Sequence, residues 1–304
     1  MSNNYVLKFS EINLKDLGKV GGKNASLGEM ISSLSKKGIN VPNGFATTSH
    51  AFWEFLKSNE IGVAISQNIS RFQGKAQSLQ ETGKNIRKLI YESEFPKELE
   101  DSIVEAYEAL SKERGEEDTA VAVRSSATAE DLPNASFAGQ LETFLNVSGK
   151  TALLDACKKC FASLYTDRAI SYREAQGFVH EKVALSVGIQ EMVRSDLAGS
   201  GVMFSIDTET GFKSAVVINA SWGLGENIVK GVVNPDEYTV FKPSLENEEL
   251  NPILSKKLGA KESKMVYADG TSECTLNIPT TSNEQTCFVL EEDEIIQLAR
   301  WAKD

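Results

Sequence analysis

The chain of 304 residues holds only two histidines and four cysteines, and each shortage removes a class of function. His50 sits in TTSHAF at a helix start and His180 in the polar stretch GFVHEK. Neither has the neighbours of a catalytic triad or a zinc site, so both read as structural or surface residues. Four cysteines in a chain this long do not make a disulfide framework. Cys157 and Cys160 form a C-x-x-C, the pattern of redox or zinc chemistry. They fall inside Leu153–Leu164, however, where Leu153, Leu154, Cys157, Cys160, Phe161 and Leu164 recur at helical spacing, which fits small core residues. Cys274 and Cys287 are isolated. No apolar run approaches the roughly 20 residues that span a bilayer. Met1–Lys8 lacks the basic and then apolar blocks of a signal peptide, so a cytoplasmic protein is expected. Cations are outnumbered, 32 Lys and Arg against 43 Asp and Glu, for a net charge of −11 and a pI near 4.9. That balance argues against sequence-independent nucleic-acid binding, which needs a basic face. It leaves room for a small anionic ligand, because at a Debye length of roughly 8 Å a few local cations outweigh distant carboxylates.

What is present is globular: 41% hydrophobic and 25% charged residues, without repeats or low-complexity segments. The length suits two domains or one large two-lobed unit. After Val20-Gly21-Gly22-Lys23, Leu27, Met30, Ile31 and Leu34 keep the 3.6-residue period, with Gly38 as terminator. Ser49 is a candidate cap for a helix carrying Phe52, Phe55 and Leu56. From Pro96 a helix shows Leu99, Ile103, Ala106 and Leu110 inward and ends near Gly115. Residues 1–115 are thus expected to form a helix-rich lobe. Then β-branched runs take over at 120–124, 142–147, 183–193, 201–206 and 214–220, interrupted by one long helix at about 150–175. The expectation for 116–304 is a strand-rich part, and for the whole an α+β fold. The charge-rich stretch 256–264 reads as a solvated helix or loop.

Three stretches invite chemistry. Gly21-Gly22-Lys23 puts a lysine after two glycines at a helix start, where backbone N–H groups, helix dipole and ammonium can converge on a phosphate. It is not a P-loop, since the GxxxxGK[ST] spacing is absent and Asn24 follows the lysine. The other reading is a surface lysine beside a tight turn. In Val121–Gly139, VAVRSSATAEDLPNASFAG, an arginine at a strand end precedes Ser125, Ser126, Thr128 and a loop of small residues. A guanidinium grips phosphate oxygens with paired hydrogen bonds, and small residues let backbone approach an anion closely. The alternative is a surface turn held by its own hydroxyls. Glu130 and Asp131 repel a nucleotide unless they point away or hold a cation. Trp222-Gly-Leu-Gly-Glu226 lacks the third glycine of a dinucleotide fingerprint and reads as a close-packed turn. Asp207, Glu209, Glu226 and Asp236 are candidate metal ligands by residue type alone.

Together, VGGKNASLGEMI (Val20–Ile31), VPNGFATT (Val41–Thr48), VRSSATAEDLPNASFAGQLETFLNV (Val123–Val147), IQEMV (Ile189–Val193), SGVMFSIDTETG (Ser200–Gly211) and WGLGENIVKGVVNPDEY (Trp222–Tyr238) closely resemble the phosphoenolpyruvate synthases, or pyruvate, water dikinases. The SSATAED form is similar to that branch rather than to the pyruvate, phosphate dikinases. Rifamycin phosphotransferases share it and are the alternative, with a non-catalytic nucleotide-binding module as another. NASLGEMI and NPDEY favour the synthases. The resemblance implies a two-lobed ATP-grasp domain using ATP with Mg²⁺, with Lys23 and Arg124 on the phosphates, Gly139 and Thr143 lining the loop over them, and Gln190 on the bordering strand. It implies transfer of ATP's β-phosphoryl group to a histidine on a separate swivelling domain, and from there to pyruvate on a barrel domain, with AMP and phosphate released. Neither further domain is expected in this chain, and His50 falls in the wrong block to be that carrier. The family's acidic D-x-E and later Q-x-R segments are also missing. The end, Leu298–Asp304, reads as a cut inside a preceding helix, or else Trp301–Asp304 is similar to the tryptophan-containing stretch just after the acidic segment, with the residues between lost. This chain alone is therefore not expected to complete the dikinase reaction.

Overall fold

A computed structural model describes residues 4–128, 142–247, 249–268 and 274–303. The architecture is α+β, and the chain forms two compact units, Met1–Met192 and Val193–Asp304.

In the first unit the elements run β1 (Val6–Lys8), α1 (Leu17–Leu34), β2 (Gly44–Thr47), α2 (Ser49–Ser58), α3 (Gly62–Gln73), α4 (Leu79–Glu92), α5 (Lys97–Arg114), β3 (Val121–Ala127), β4 (Thr143–Val147), α6 (Lys150–Ser163), α7 (Asp167–Ala175) and β5 (Leu185–Glu191). The strands form one antiparallel sheet in the order β1-β2-β5-β3-β4. Because β3 pairs with β5 and β5 with β2, the expected lobe boundary at 115/116 falls inside this unit. Helix ends follow the sequence signals. Pro96 is the N-cap of α5, and Gly115 (φ +74°) closes it in the left-handed conformation that glycine adopts at little cost. Gly38 (φ +78°) ends the first helical stretch in the same way.

One face of the sheet carries Val121, Val123, Val187 and Ile189, all fully buried against the helical layer. Phe52 and Phe55 meet Phe161 of α6 at ring-centroid separations of 5.2 and 5.3 Å. Cys157 and Cys160 belong to this core with no exposure, and the Cys160 thiol lies 3.9 Å from the Val123 carbonyl. Burial pushes the Cys157 thiol up to about 12 and Cys160 upward too, so neither supplies the thiolate that redox or metal chemistry needs. They are small core residues.

Several local expectations change. Thr48, not Ser49, caps α2, accepting from Ala51 N at 3.3 Å, while the Ser49 hydroxyl donates to the Gly18 carbonyl. Met30 faces solvent. The long helix expected over 150–175 is two. Thr166 caps α7 by accepting from Ala169 N, and the Leu164 carbonyl at the break receives Arg173 Nη1 at 2.6 Å.

The second unit contains β6 (Gly199–Phe204), β7 (Ala215–Trp222), α8 (Glu226–Val229), β8 (Asp236–Phe241), β9 (Ile253–Lys257), β10 (Ser263–Tyr267), β11 (Thr275–Pro279), α9 (Ser282–Thr286) and α10 (Glu292–Lys303). Strands β6 to β9 form an antiparallel sheet in sequence order, and β10–β11 form a hairpin. Ile295 and Ala299 of α10 close the core over Val216, Ile218, Tyr238 and Val240. The stretch 256–264 is not a solvated face, because it holds the end of β9, the start of β10 and, between them, a fully buried Lys261. Lys261 Nζ donates to Asp236 Oδ1 at 2.5 Å and to the Gly259 carbonyl at 3.0 Å. Asp236 also accepts from Gly259 N and Val289 N, each at 2.8 Å, and from the Tyr238 hydroxyl at 3.2 Å. A buried carboxylate with this many donors is fully committed. Removing one partner of such a pair leaves the other charged in the core, at about 3–5 kcal/mol. Lys261→Met is therefore expected to lower the opening free energy of the second unit by that order, read by hydrogen exchange of the β8 amides; unchanged protection would show that the pair does not hold the unit.

Candidate functional site

Helix α1 is broken at Gly21, whose φ of +74° and ψ of 166° lie in a region open essentially to glycine alone. A β-carbon there would stand 2.3 Å from Ser126 Oγ, 2.6 Å from the Ser126 carbonyl oxygen and 2.8 Å from that of Ala127. The glycine motif is thus pressed directly onto the end of the arginine strand. Past the break the helix restarts, and its first turn, Gly22 and Lys23, carries the positive end of the helix dipole. Asn24 fastens this turn to the sheet. It is 2% exposed, and its Nδ2 donates to Ser186 Oγ of β5 at 2.9 Å and to the Val20 carbonyl at 3.1 Å. Room for it exists because β5 has Gly188 there: a β-carbon at Gly188 would lie 2.2 Å from Asn24 Oδ1. Ser186 in turn donates to the Thr47 carbonyl at 2.5 Å, and Val187 N donates to Thr47 Oγ1.

The strand registers place the other candidates. Arg124 is directly opposite Thr143 on β4 and Gly188 on β5. Gln190 is opposite Ala122 of β3 and Gly44 of β2. Opposed residues in antiparallel pairs share a face, and so do residues two apart on a strand. Arg124, Thr143, Gln190 and Ser126 therefore lie on one face, the face that carries Gly188 and Asn24. The Arg124 side chain is half-buried and has no hydrogen bond or ion pair among the described residues, Thr143 is exposed, and Gln190 is nearly buried, its Nε2 donating to the Pro42 carbonyl at 3.1 Å. Gly139, Glu130, Asp131 and Pro133 lie outside the described residues.

The hydroxyls after the arginine do not behave alike. Ser125 donates to the Glu142 carbonyl at 2.9 Å, which pins the start of β4. Thr128 donates to the Ala184 carbonyl and accepts from Ala184 N, both at 3.2 Å. These two hold the fold. Ser126, 1% exposed, has a buried Oγ without a partner among the described residues.

The metal candidates do not converge. Asp236 is spent on Lys261, Asp207 caps its own turn through Glu209 N and Thr210 Oγ1, and Glu226 pairs with Lys230 at 2.9 Å. Among the described residues no three His, Cys, Asp or Glu side chains group as a metal site. The turn after Trp222 is close-packed as expected: Gly223 (φ +83°) has no space for a β-carbon beside the Met265 carbonyl, 2.5 Å away. A cleft of about 1030 Å³ between β6 and α10 in the second unit is lined by Met203, Ile296 and Trp301 together with Asp293, Glu294 and Arg300, and holds none of the phosphate candidates.

Both histidines are structural. His50 stacks on Tyr5 with ring centroids 5.3 Å apart. His180 is 4% exposed, with Nδ1 receiving Arg173 Nε at 2.9 Å and Nε2 facing Glu174 Oε1 at 2.8 Å. Since Nδ1 must accept, the ring is neutral with its proton on Nε2.

The family model described as "Pyruvate phosphate dikinase, AMP/ATP-binding domain" matches residues 17–304. The chain belongs to this family. Among curated relatives, this dikinase-family chain is 54% identical over 302 residues to the phosphoenolpyruvate synthase of Synechocystis sp., 52% over 300 residues to that of Helicobacter pylori and 49% over 311 residues to that of Escherichia coli. These alignments take in 98 to 99% of the chain and 37 to 39% of the relatives. The chain therefore spans less than two-fifths of the length of the proteins it matches.

Two outcomes follow from the geometry of this nucleotide-binding-family unit. Gly21→Ala sets a strained backbone against two carbonyls and a hydroxyl, and should cost about 1–3 kcal/mol in urea unfolding; a full-stability variant would show that the contact is slack. Burial, then the neighbouring Arg173 charge, lowers the His180 pKa below 6.5. The unfolded imidazole thus takes up its proton first, and the stability His180 contributes is complete above about pH 6.5 and falls as pH drops toward the lower folded value. His180→Gln should flatten that part of the stability curve, and equal slopes in both proteins would assign the titration elsewhere.

Proposed function

We propose that this chain is the ATP-binding part of a phosphoenolpyruvate synthase and that it holds the nucleotide phosphates on Lys23 and Arg124. The observation that carries the reading is the seating of the Gly21-Gly22-Lys23 turn on β3, which brings a helix N-terminus to the strand bearing a half-buried guanidinium that has no partner among the described residues. A guanidinium without a carboxylate among the described residues, in a chain of net charge −11, suits an anion that arrives from outside. Thr143, opposite Arg124, and Gln190, one strand pair further along, border the same site, and Gly139 belongs to the loop over the phosphates. The clamp is of the ATP-grasp type in this reading.

The reading extends to the longer protein of which such a chain is a part. There, ATP phosphorylates a histidine on a swivelling domain, and the phosphohistidine converts pyruvate to phosphoenolpyruvate with release of AMP and phosphate. The relatives, more than twice as long, support the presence of further domains. His180, buried and hydrogen-bonded on both ring nitrogens, is poorly placed to carry a phosphoryl group. Mg²⁺ enters this reading as the counterion of ATP. A cytoplasmic setting completes the reading; among the described residues no helix is long and apolar enough to cross a membrane.

The test is calorimetric titration of the chain with Mg²⁺–ATP beside Lys23→Ala and Arg124→Ala. Loss of a charge-assisted phosphate contact is worth about 1.5–3 kcal/mol, or roughly tenfold or more in affinity. Saturable binding weakened by both changes is expected. Binding indifferent to both would sink the site assignment while leaving the family untouched.

A further inference from the structure

We infer that Ser126 is a third phosphate ligand of this site, a neutral hydrogen-bond donor that completes what Lys23 and Arg124 begin; the inference rests on the nucleotide reading given above.

The argument is one of elimination among buried hydroxyls. Around this junction Ser125, Thr128, Ser186 and Thr47 each have partners, and all of those partners are parts of the fold. Ser126 alone of this group has none, although it is 1% exposed. A buried hydroxyl without a partner is a net cost to the folded chain, since it gives up water and gains nothing. Alanine has the same backbone preferences in a strand end and no such cost, so the fold itself gives no reason for serine here.

Its placement supplies the reason. Ser126 lies two residues beyond Arg124 on β3, on the same face of the strand. Its Oγ is directed at Gly21, 2.3 Å from where a β-carbon would stand, so only glycine backbone separates it from the first turn of the restarted helix. A donor beside the positive end of a helix, a lysine and a guanidinium without a partner among the described residues faces the one ligand class all four favour, the oxygens of a phosphate chain. Contact requires the Gly21–Lys23 turn to move off the Ser126 hydroxyl, and Gly21, in its glycine-only conformation, is the residue about which the backbone can do so.

The experiment compares the unmodified chain with Ser126→Ala in titrations with Mg²⁺–ATP and with adenosine, together with urea unfolding. The expected result is ATP affinity lower by about tenfold, adenosine affinity unchanged, and an unfolding midpoint equal to or above that of the unmodified chain. Undiminished ATP affinity in Ser126→Ala, with Lys23→Ala and Arg124→Ala still defective, overturns this inference and spares the site. A lowered midpoint overturns it as well, by making the hydroxyl a partner of the fold. Equal losses for ATP and adenosine would move Ser126 to the nucleoside and reject the phosphate role. Absence of saturable ATP binding in the unmodified chain would defeat the nucleotide reading itself, and this inference with it.

Discussion

The contact between Gly21 and the end of β3 is the constraint on which the candidate site depends. Helix α1 crosses the sheet so closely at that point that two carbonyl oxygens and a hydroxyl occupy the space of a side chain. Only a residue without a β-carbon, in a backbone conformation closed to the others, allows the approach. Everything nearby follows from it. With Gly21 seated on Ser126 and Ala127, Asn24 reaches β5, where a second missing side chain, at Gly188, admits its amide. The Asn24–Ser186–Thr47 chain of hydrogen bonds then ties α1, β5 and β2 together beneath Lys23. A lysine and an arginine separated by about a hundred positions in sequence are thus fixed at one junction by small residues, not by contact with each other.

The distribution of polar partners separates scaffold from site more sharply than residue type does. In the second unit, Asp236 and Lys261 are oppositely charged, wholly buried and fully satisfied, so their chemistry is consumed in closing the loop between β9 and β10 onto β8. In the first unit, the buried Arg173 donates through Nε to His180 and through Nη1 to the Leu164 carbonyl, leaving Nη2 without a partner among the described residues, and His180 also meets Glu174. Burial holds Arg173 down to about 10, far above any pH at which it could serve as a base. Arg124 contrasts with all of these. It is half-buried with no partner among the described residues, a state that costs desolvation without return unless an anion completes it. The cysteines make the same point from the other side: the C-x-x-C spacing is a consequence of helix periodicity around a core.

Much of this was legible in the sequence, and the legible parts share a cause. Pro96 and Gly115 mark α5, and Gly38 ends the first helical stretch, because caps are local chemistry that needs no knowledge of the rest of the chain. The strands around 121, 143, 185, 199 and 215 are visible for the same reason, as β-branched runs between turn residues. What failed is non-local. The stretch 256–264 reads as solvated because nothing near it in sequence reveals that Asp236, 25 residues earlier, buries Lys261. The break at Leu164–Thr166 hides behind continuous helical periodicity and is set by Arg173 folding back on the Leu164 carbonyl. The division at Met192/Val193 is hidden too, since the sheet order β1-β2-β5-β3-β4 draws β5 back past the intervening helices to sit between β2 and β3.

The site shows the same division. Lys23 and Arg124 stand out by charge beside small residues, and Thr143 and Gln190 follow from family resemblance. Asn24 was visible only as a departure from a P-loop, yet its amide is what locks the lysine turn to the sheet. Ser125, Ser126 and Thr128 look equivalent as letters. Strand alternation points Ser125 away from Arg124 and Ser126 toward the same face, and only the sheet register reveals which carbonyl each can reach. The hydroxyls at the end of β3 are therefore distinguished by what the fold leaves unpaired among the described residues, a quantity that exists only once strands far apart in sequence have been brought together.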